Sequence, residues 1–188
     1  MSFSTGRSIT VVDYDPAWPS QFETLGSIIS SAVGDIAIAV EHVGSTSVPG
    51  PAAKPIIDID VVVASTADVS VAIERLAVIG YVHRGNLGVE GREAFGSPPE
   101  LPQRHLYVCL QGATALQNHL ALREYLRRNS DSAAKFGILK KQLAARFPND
   151  MDAYIDGKTD FVLGVLRDMG LSDHQLAAIG AVNRLNHE

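Results

Sequence analysis

The chain has 188 residues, of which 46% are hydrophobic and 20% are charged, and its formal net charge is -5. This balance fits one compact globular domain and argues against broad electrostatic binding to nucleic acid. The single cysteine, Cys109, excludes an internal disulfide. The sequence shows neither a signal-like N-terminus nor an apolar run near the roughly 18 residues of a membrane span, so we expect a cytoplasmic protein.

The first elements along the chain are predicted to be a strand, a helix and a second strand. Residues 9–13 predict the first strand, and Asp15 followed by Pro16 marks a helix start through capping and proline in the first turn. Apolar residues then recur at helical spacing as far as Gly34, a typical helix end. Residues 36–43 predict the second strand.

A glycine-serine turn follows this strand. Glycine lets the backbone approach a ligand closely, and turn amides together with hydroxyl groups can cradle phosphate oxygens. Lys54, in the loop that follows, could also touch a phosphate, although a solvated lysine is the alternative. The sequence therefore predicts a phosphate-binding turn, formed by Gly44, Ser45, Thr46 and Ser47.

The next strand carries two carboxylates, Asp58 and Asp60, within an apolar run that ends at Val63. Successive strand side chains point to opposite faces, so both acids share one face with Cα atoms roughly 7 Å apart. Two acids in apolar surroundings need a counter-charge, and hard divalent cations prefer oxygen ligands. A Mg²⁺ ion held by both acids and by phosphates is predicted; solvated acids beside an ordinary turn are the alternative that spacing leaves open.

The middle of the chain predicts a helix that Thr66 caps and Gly80 ends, and then a strand at residues 81–83. Residues 84–104 contain four glycines and three prolines, which predicts a long irregular loop. Such a loop is either a flap over the site or a surface hairpin without function. Residues 105–110 predict a further strand.

The remainder is predicted to be helical, at residues 115–128, 131–147, 150–169 and 173–186. Asn149 is expected to cap the third of these helices, and Ser172 with Gln175 forms a capping box for the last. Leu185 belongs to the apolar pattern of that last helix, which covers the core or forms a dimer contact. An α/β or α+β fold follows, with one sheet covered on one face and parts at residues 1–112 and 113–188.

Some cations lie on the apolar stripes of these helices. His119 and Arg123 fall on the stripe of the first helix, and Lys158 falls on that of the third. Arginine and lysine at such positions either contact phosphates or form structural ion pairs, here with Asp58 or Asp60. Lys140 could act in the same way, but its helical face is ambiguous.

The residues EHVGSTSVPGPAAKPIIDIDVVV resemble the GrpB family, and the Gly-Ser turn followed after twelve residues by Asp-Ile-Asp resembles the polymerase-β-type nucleotidyltransferase superfamily. The resemblance extends from Tyr14 to about Phe161 and includes Arg92, which could reach inward from the flap. It implies a nucleotidyltransferase-like mixed sheet covered by helices, with a C-terminal helical part. Some relatives carry this domain beside a dephospho-coenzyme A kinase domain.

The resemblance also implies a reaction: transfer of a nucleoside monophosphate from a nucleoside triphosphate, with Asp58 and Asp60 holding Mg²⁺ or Mn²⁺. The superfamily has a third carboxylate on a neighbouring strand, and the strand at residues 105–110 has none. His105 could replace it as metal ligand or base, Glu90 or Glu93 could swing in, or the group is absent.

The first alternative function is therefore a non-catalytic nucleotide- or ligand-binding module that lacks the third carboxylate. A weaker possibility uses the same metal site to transfer or hydrolyse a phosphorylated metabolite. The acceptor is a small molecule, a protein or an RNA end, and the protein is a monomer or a homodimer.

Overall fold

The computed structural model describes residues 8–184, and within that range the chain forms a five-stranded sheet and six α-helices. The strands are β1 (Ala37–Val43), β2 (Ile57–Val63), β3 (Val82–His83), β4 (Arg92–Gly96) and β5 (Arg104–Leu110). The helices are α1 (Trp18–Val33), α2 (Thr66–Val78), α3 (Thr114–Arg128), α4 (Ser130–Arg146), α5 (Met151–Asp168) and α6 (Asp173–Arg184). The predicted mixed α/β fold with helices at its C-terminal end is confirmed. No helix in this range is both long and apolar enough to cross a membrane.

The sheet has the strand order β1-β2-β5-β4-β3, in which β2 and β5 run parallel and the other neighbours run antiparallel. The predicted proximity of β5 to the two acids is confirmed, because Asp58 lies opposite His105 and Asp60 lies opposite Tyr107. Residues that pair across neighbouring strands point to the same face. The acids of β2 therefore share a face with His105 and Tyr107.

Strand β2 is buried on both of its faces. Its odd-numbered residues, from Ile57 to Val63, join the main core that α1 and α2 form on one side. On the other face the acids come first, and Val62 then packs with Cys109 and with Leu116 of α3. The expectation of a sheet covered on one face was wrong, because parallel strands such as β2 and β5 are normally covered on both.

The first predicted strand is reduced to a single antiparallel bridge between Val12 and Ala53. Helix α1 begins at Trp18, later than predicted, because the Asp15 carboxylate accepts the N–H of Ala17 outside the helix. The predicted strand is thus replaced by an isolated bridge and a local turn ahead of α1.

Two helix caps lie one residue away from their predicted positions. Ser65, not Thr66, caps α2, and Asp150, not Asn149, caps α5 by accepting the N–H of Ala153. Both capping residues have extended backbone, which leaves the side-chain oxygen facing the first helical N–H groups. A shift of one residue is the usual uncertainty of helix ends.

The segment predicted as an irregular loop, residues 84–104, contains strand β4, which pairs with both β3 and β5. This strand has five residues and lies between positive-φ glycines and turns, which hid it in the sequence. The segment is therefore a part of the sheet, and Arg92 at its start faces the same side as Cys109.

The C-terminal helices pack on one another and on the α/β part. Val48, in the loop after the predicted phosphate turn, is buried among residues of α3 to α6. The backbone N–H of Ile9 donates to Pro148 O at 2.7 Å. The predicted capping box of Ser172 and Gln175 is confirmed, whereas Leu185 lies outside the described residues. The four helices thus close over the face of the sheet that carries the acids.

Candidate functional site

A pocket of about 330 Å³ lies between the acid-bearing face of the sheet and helices α3, α4 and α5. It brings together most of the residues that the sequence singled out. Those that line it are Gly44, Ser45, Thr46, Lys54, Asp58, Arg92, His105 and Lys158. Other polar residues also line it, namely Tyr107, Asn118, His119, Lys140, Tyr154 and Asn183. Its volume lies within the range of small-molecule sites.

The turn and the first acid are in direct contact. Gly44 has φ +69° and ψ -172°, a conformation that is open essentially to glycine alone. A Cβ atom at this position would lie 2.1 Å from Asp58 Oδ2, far inside the contact distance. The backbone of the turn therefore lies against the Asp58 carboxylate, which joins the two halves of the predicted site.

Two of the three hydroxyl groups in the turn hold its own structure, and the third is available to bind a ligand. Ser47 Oγ donates to Gly44 O at 2.6 Å, and Thr46 Oγ1 donates to Ile56 O at 3.2 Å. Ser45 lines the pocket, and its hydroxyl makes no hydrogen bond within the described part of the chain. A phosphate oxygen is a suitable partner for that hydroxyl.

The buried side chain of His42 supports the turn at residues 44–47, a role that the sequence did not reveal. Its ring stacks on Phe22 with centroids 4.6 Å apart, and its Nε2 lies 3.0 Å from Thr46 Oγ1. Burial lowers the pKa of His42 to about 4, so the ring is neutral at pH 7. Because the Thr46 hydroxyl already donates to Ile56 O, the His42 Nε2–H must be the donor in this pair.

The first carboxylate–histidine pair is Asp58 with His105, whose Nδ1 lies 2.8 Å from Asp58 Oδ1. Burial acts to raise the pKa of Asp58. The hydrogen bond from His105 and electrostatic interactions with His105, His119 and Lys54 outweigh that effect and hold its pKa below the usual value. Asp58 is therefore ionised near neutral pH, as a ligand for a cation must be.

The second pair is Asp60 with His119, whose Nδ1 lies 2.7 Å from Asp60 Oδ2. Asp60 is fully buried, with 0% of its surface exposed. Its other oxygen, Oδ1, has no hydrogen-bond partner among residues 8–184. The position of His119 on the apolar stripe of α3 was the available signal, and only the fold shows that the stripe crosses Asp60.

The free oxygens decide whether a divalent cation fits. Each carboxylate uses one oxygen for its histidine, Asp58 Oδ1 for His105 and Asp60 Oδ2 for His119, and the buried Asp60 Oδ1 has no hydrogen-bond partner within the described residues. A buried acceptor without a donor is costly unless a cation meets it. Residues 8–184 contain no cluster of three acidic, histidine or cysteine side chains arranged to hold a metal. Two carboxylates suit Mg²⁺ or Mn²⁺ when substrate phosphates and waters complete the coordination, so the residues fit such an ion.

Glu90 and Glu93, the acids of the segment that the sequence predicted as a loop, do not reach this site. Glu93 pairs across the sheet with Val108, so it points to the face opposite the acids, where it lies 2.6 Å from His83 Nε2. Glu90 is exposed and does not line the pocket. Tyr107 occupies the position opposite Asp60, and burial raises its pKa to about 12. Three explanations were considered for the missing third carboxylate. The one in which Glu90 or Glu93 supplies it has no structural support.

Cations surround the other side of the pocket. The Nζ atoms of Lys54 and Lys158 lie 5.6 and 5.4 Å from the centroid of the Tyr154 ring. Burial lowers the pKa of both lysines, to about 8 for Lys158, and Asp58 acts in the opposite direction. Arg92 lies over the Tyr107 ring at 4.4 Å, and its buried Nε has no partner among the described residues. The pocket therefore holds more positive than negative side chains.

Arg123 lies outside the pocket, although the sequence gave it the same prediction as Lys158. It donates to Glu41 Oε2 at 2.7 Å, to Glu124 Oε1 at 3.0 Å and to the backbone oxygen of His42 at 2.8 Å. Arg127 donates two hydrogen bonds to Ser47 O. This placement favours the structural ion pair, with two glutamates in place of the predicted aspartates. The two arginines hold the ends of the turn that contains Gly44.

Comparison with known proteins identifies relatives of the whole domain. The family model described as GrpB protein matches residues 8–168. The UPF0157 protein YqkA of Bacillus subtilis is 35% identical over 83% of this chain, and the match spans 46% of that relative's own length. The crystal structure of the conserved protein GrpB from Enterococcus faecalis is 35% identical and superposes with a TM-score of 0.77, covering 85% of this chain and 96% of that one.

A more distant structure shares the fold alone. The Cid1 poly(U) polymerase with bound MgGTP superposes with a TM-score of 0.52 at 14% identity. The superposition covers 72% of this chain and 45% of the polymerase. The predicted nucleotidyltransferase-like architecture is therefore confirmed at the level of the fold.

Proposed function

This chain belongs to the GrpB family, and from that premise we propose that it is a divalent-metal-dependent nucleotidyltransferase. It would transfer a nucleoside monophosphate from a nucleoside triphosphate to an acceptor oxygen or a similar nucleophile. One observation carries the proposal: the Gly44 turn lies directly against Asp58, beside the buried Asp60 whose Oδ1 lacks a donor within residues 8–184. A glycine-serine turn that contacts one carboxylate and lies beside a second would suit phosphates and a cation together.

Asp58 and Asp60 would hold Mg²⁺ or Mn²⁺ through the two oxygens that their histidines leave free. When bound, the ion would neutralise phosphate charge and orient the phosphates for in-line attack. His119 would act as a positioning residue, because its hydrogen bond fixes the rotamer of Asp60.

The turn and the lysines would bind the phosphate chain. The available Ser45 hydroxyl and the Gly44 backbone face the pocket next to Asp58. Lys54 and Lys158 both lie near the ring of Tyr154 and would neutralise the phosphates farther from the acids. Arg92 would add a further cation from β4, while Thr46 and Ser47 shape the turn.

His105 would serve in place of the third carboxylate. It pairs in register with Asp58, lines the pocket and is held at Nδ1 by the Asp58 carboxylate. The same hydrogen bond that orients the ring leaves the other nitrogen as the group that meets the acceptor. That nitrogen would accept the proton of the attacking hydroxyl or complete the coordination of the ion.

A non-catalytic module that binds a nucleotide is the second candidate. The observation that favours it is that β5 places His105 and Tyr107, and no carboxylate, opposite the two acids. Such a module would use the same phosphate and metal contacts without turnover. The acceptor of the first candidate would be a small molecule, a protein or an RNA end.

Thermal unfolding with each of four nucleoside triphosphates, in the presence of Mg²⁺, Mn²⁺ or a chelator, tests the site. Ligand at about 100 times its dissociation constant adds about 2.7 kcal/mol to the free energy of unfolding, which raises Tm by several degrees. We expect a metal-dependent rise in the wild type and none in the double variant Asp58→Asn/Asp60→Asn. Asp13→Asn is the matched control, because Asp13 is exposed and pairs with Lys141 on the surface. An equal rise in Tm in the double variant would show that the two acids do not take part in metal-dependent nucleotide binding.

A further inference from the structure

Arg92, the first residue of β4, brings a guanidinium group to the pocket without an acceptor for its N–H groups. Its buried Nε has no hydrogen-bond partner among residues 8–184. Within the same residues its side chain forms no ion pair, and its guanidinium carbon lies 4.4 Å from the centroid of the Tyr107 ring. The buried Arg104, by contrast, donates to Tyr81 Oη at 2.6 Å and to Pro102 O at 2.9 Å. Because a guanidinium group carries five donors and stays charged, the placement of Arg92 indicates that a ligand supplies the acceptor.

The surroundings of Arg92 hold its side chain in place. Arg92 pairs with Cys109 of β5, so its backbone is part of the sheet. The residue before it, Gly91, has φ +73°, and a Cβ atom there would lie 2.7 Å from the Cβ of Ala113. The guanidinium group stacks over the Tyr107 ring, a contact that orients its planar fork. Arg92 is thus a preorganised binding group.

Arg92 lies across the sheet from the phosphate turn. The turn at Gly44 contacts Asp58 of β2, whereas Arg92 belongs to β4, and β5 separates these two strands. Along β5, Arg92 pairs with Cys109, which lies beyond His105, the partner of Asp58. Phosphates at the turn therefore leave Arg92 on the far side of His105. This is the side from which an acceptor would approach.

The ring of Tyr107 connects Arg92 to His105. The ring centroids of His105 and Tyr107 are 6.4 Å apart, and the Arg92 guanidinium carbon is 4.4 Å from the Tyr107 centroid. All three side chains line the pocket. One small molecule can therefore place a hydroxyl group at the free nitrogen of His105 and an anionic group at Arg92.

Charge and shape indicate that this anionic group is a carboxylate. The planar fork of arginine matches the two oxygens of a carboxylate. One guanidinium group neutralises one negative charge, whereas a phosphomonoester carries roughly -1.5 to -2 near pH 7. Asp60 pairs in register with Tyr107, so it would repel a second negative charge at this end of the pocket.

We propose that Arg92 binds a carboxylate of the acceptor, and that the acceptor is a small hydroxy acid. The assignment rests on the proposed function, because it takes the acceptor hydroxyl to lie at His105. In the transfer, the hydroxyl oxygen bonds to the α-phosphorus while the bond from that phosphorus to the bridging oxygen breaks. Pyrophosphate leaves with the electron pair, and the hydroxyl proton passes to the free nitrogen of His105. The product is a phosphodiester that keeps its carboxylate on Arg92.

The first test measures binding without turnover, by saturation-transfer NMR titration of the full chain with Mg²⁺. The probes are glycolate, D-glycerate, 4-hydroxybutyrate and 6-hydroxyhexanoate, each beside the alcohol with the same carbon skeleton. We expect the best of these acids to bind the wild type more tightly than its alcohol, and Arg92→Met to weaken that acid about tenfold or more. Arg92→Lys keeps the charge without the fork, so its affinity should be intermediate. Arg84→Met is the matched control and should bind within about twofold of the wild type, because Arg84 is exposed and does not line the pocket.

The same titrations contain the results that would overturn the assignment. One is that no hydroxy acid binds more tightly than its alcohol, and another is that Arg92→Met and Arg84→Met weaken the acid equally. A third is that glycerol 3-phosphate or ATP loses as much affinity in Arg92→Met as the hydroxy acid does, which would place Arg92 in the phosphate site.

Thermal unfolding separates binding from a structural role of Arg92. Methionine also packs on aromatic rings, so Arg92→Met should keep its Tm within a few degrees of the wild type. Should this variant fail to fold, Arg92→Lys decides. A loss of affinity confined to the hydroxy acids would then support the assignment, and wild-type affinity for them would overturn it.

Transfer of label from α-labelled ATP separates this assignment from the proposed function. The wild type should use the hydroxy acid with a lower KM than the alcohol, and Arg92→Met should raise that KM. Transfer to acid and alcohol with equal kcat/KM would overturn the assignment and leave the reaction in place. Hydroxy acid binding that is lost in Arg92→Met, without transfer from any nucleoside triphosphate, would support the carboxylate site and refute only the reaction.

Discussion

Gly44→Ala tests the contact that joins the turn to the first acid. The alanine would have to adopt the backbone conformation of Gly44, which is open essentially to glycine alone, and this strain costs about 1–3 kcal/mol. Its Cβ would also lie 2.1 Å from Asp58 Oδ2 and 2.9 Å from Asp58 Cβ, so the carboxylate and its strand must both shift. Overpacking of this kind costs about 1–3 kcal/mol. The sum, about 2–6 kcal/mol, lowers Tm by roughly 5–20 °C for a chain of this size.

The displaced carboxylate should also abolish metal-dependent nucleotide binding. Gly50→Ala is the control, because Gly50 has φ +103° but no atom lies within 4 Å of its added Cβ. It should lose stability through backbone strain alone and keep its affinity for nucleotide with metal. Thermal unfolding and calorimetric titration of both variants provide the comparison. Wild-type affinity and a Tm change below about 2 °C in Gly44→Ala would refute the contact between Gly44 and Asp58.

Two further predictions concern charges around the site. Arg123→Ala should cost about 2 kcal/mol in urea unfolding, because Glu41 and the His42 carbonyl lose a charged donor, and should weaken triphosphate and nucleoside binding equally; a selective loss of triphosphate affinity would place Arg123 in the phosphate site. The lowered pKa of Lys140 means that the unfolded chain binds more protons between pH 7 and 10.5, so the free energy of unfolding should rise with pH, by roughly 2 kcal/mol from this lysine between pH 7 and 9. Lys140 is buried and methionine removes its charge, so denaturant titrations should show Lys140→Met more stable than the wild type at pH 7 and this advantage shrinking as pH rises. A constant or growing advantage would contradict this pKa.

The sequence predicted the strand half of the site well, because strand periodicity is local. Alternation placed Asp58 and Asp60 on one face, and the apolar run around them predicted a buried strand. The position of β5 beside them also followed from the predicted superfamily fold. The orientation of Glu93 could not be predicted from periodicity alone. It depends on the register of β4, and a shift by one residue moves every side chain to the opposite face.

The helical half could not be predicted, because it depends on how the helices pack. Arg123 and Lys158 both lie on apolar stripes, yet Arg123 meets Glu41 and Lys158 enters the pocket. A cation on an apolar helix stripe can therefore form a structural ion pair, as Arg123 does, or line the pocket, as Lys158 does. His119 and Lys140 reach the pocket because α3 crosses Asp60 and α4 closes the far wall. The apolar stripe of α3 showed that His119 faces inward, but not which residue it meets.

Nucleotidyl transfer itself can be measured as transfer of label from α-labelled nucleoside triphosphates into small-molecule, protein and RNA acceptors, with Mn²⁺ or Mg²⁺. Pyrophosphate release is followed in the same reactions. We expect metal-dependent transfer with equal pyrophosphate release by the wild type, and its loss in Asp60→Asn, which removes ligand charge at the buried oxygen. Metal-dependent binding without transfer or pyrophosphate release would contradict an enzyme and favour the non-catalytic module.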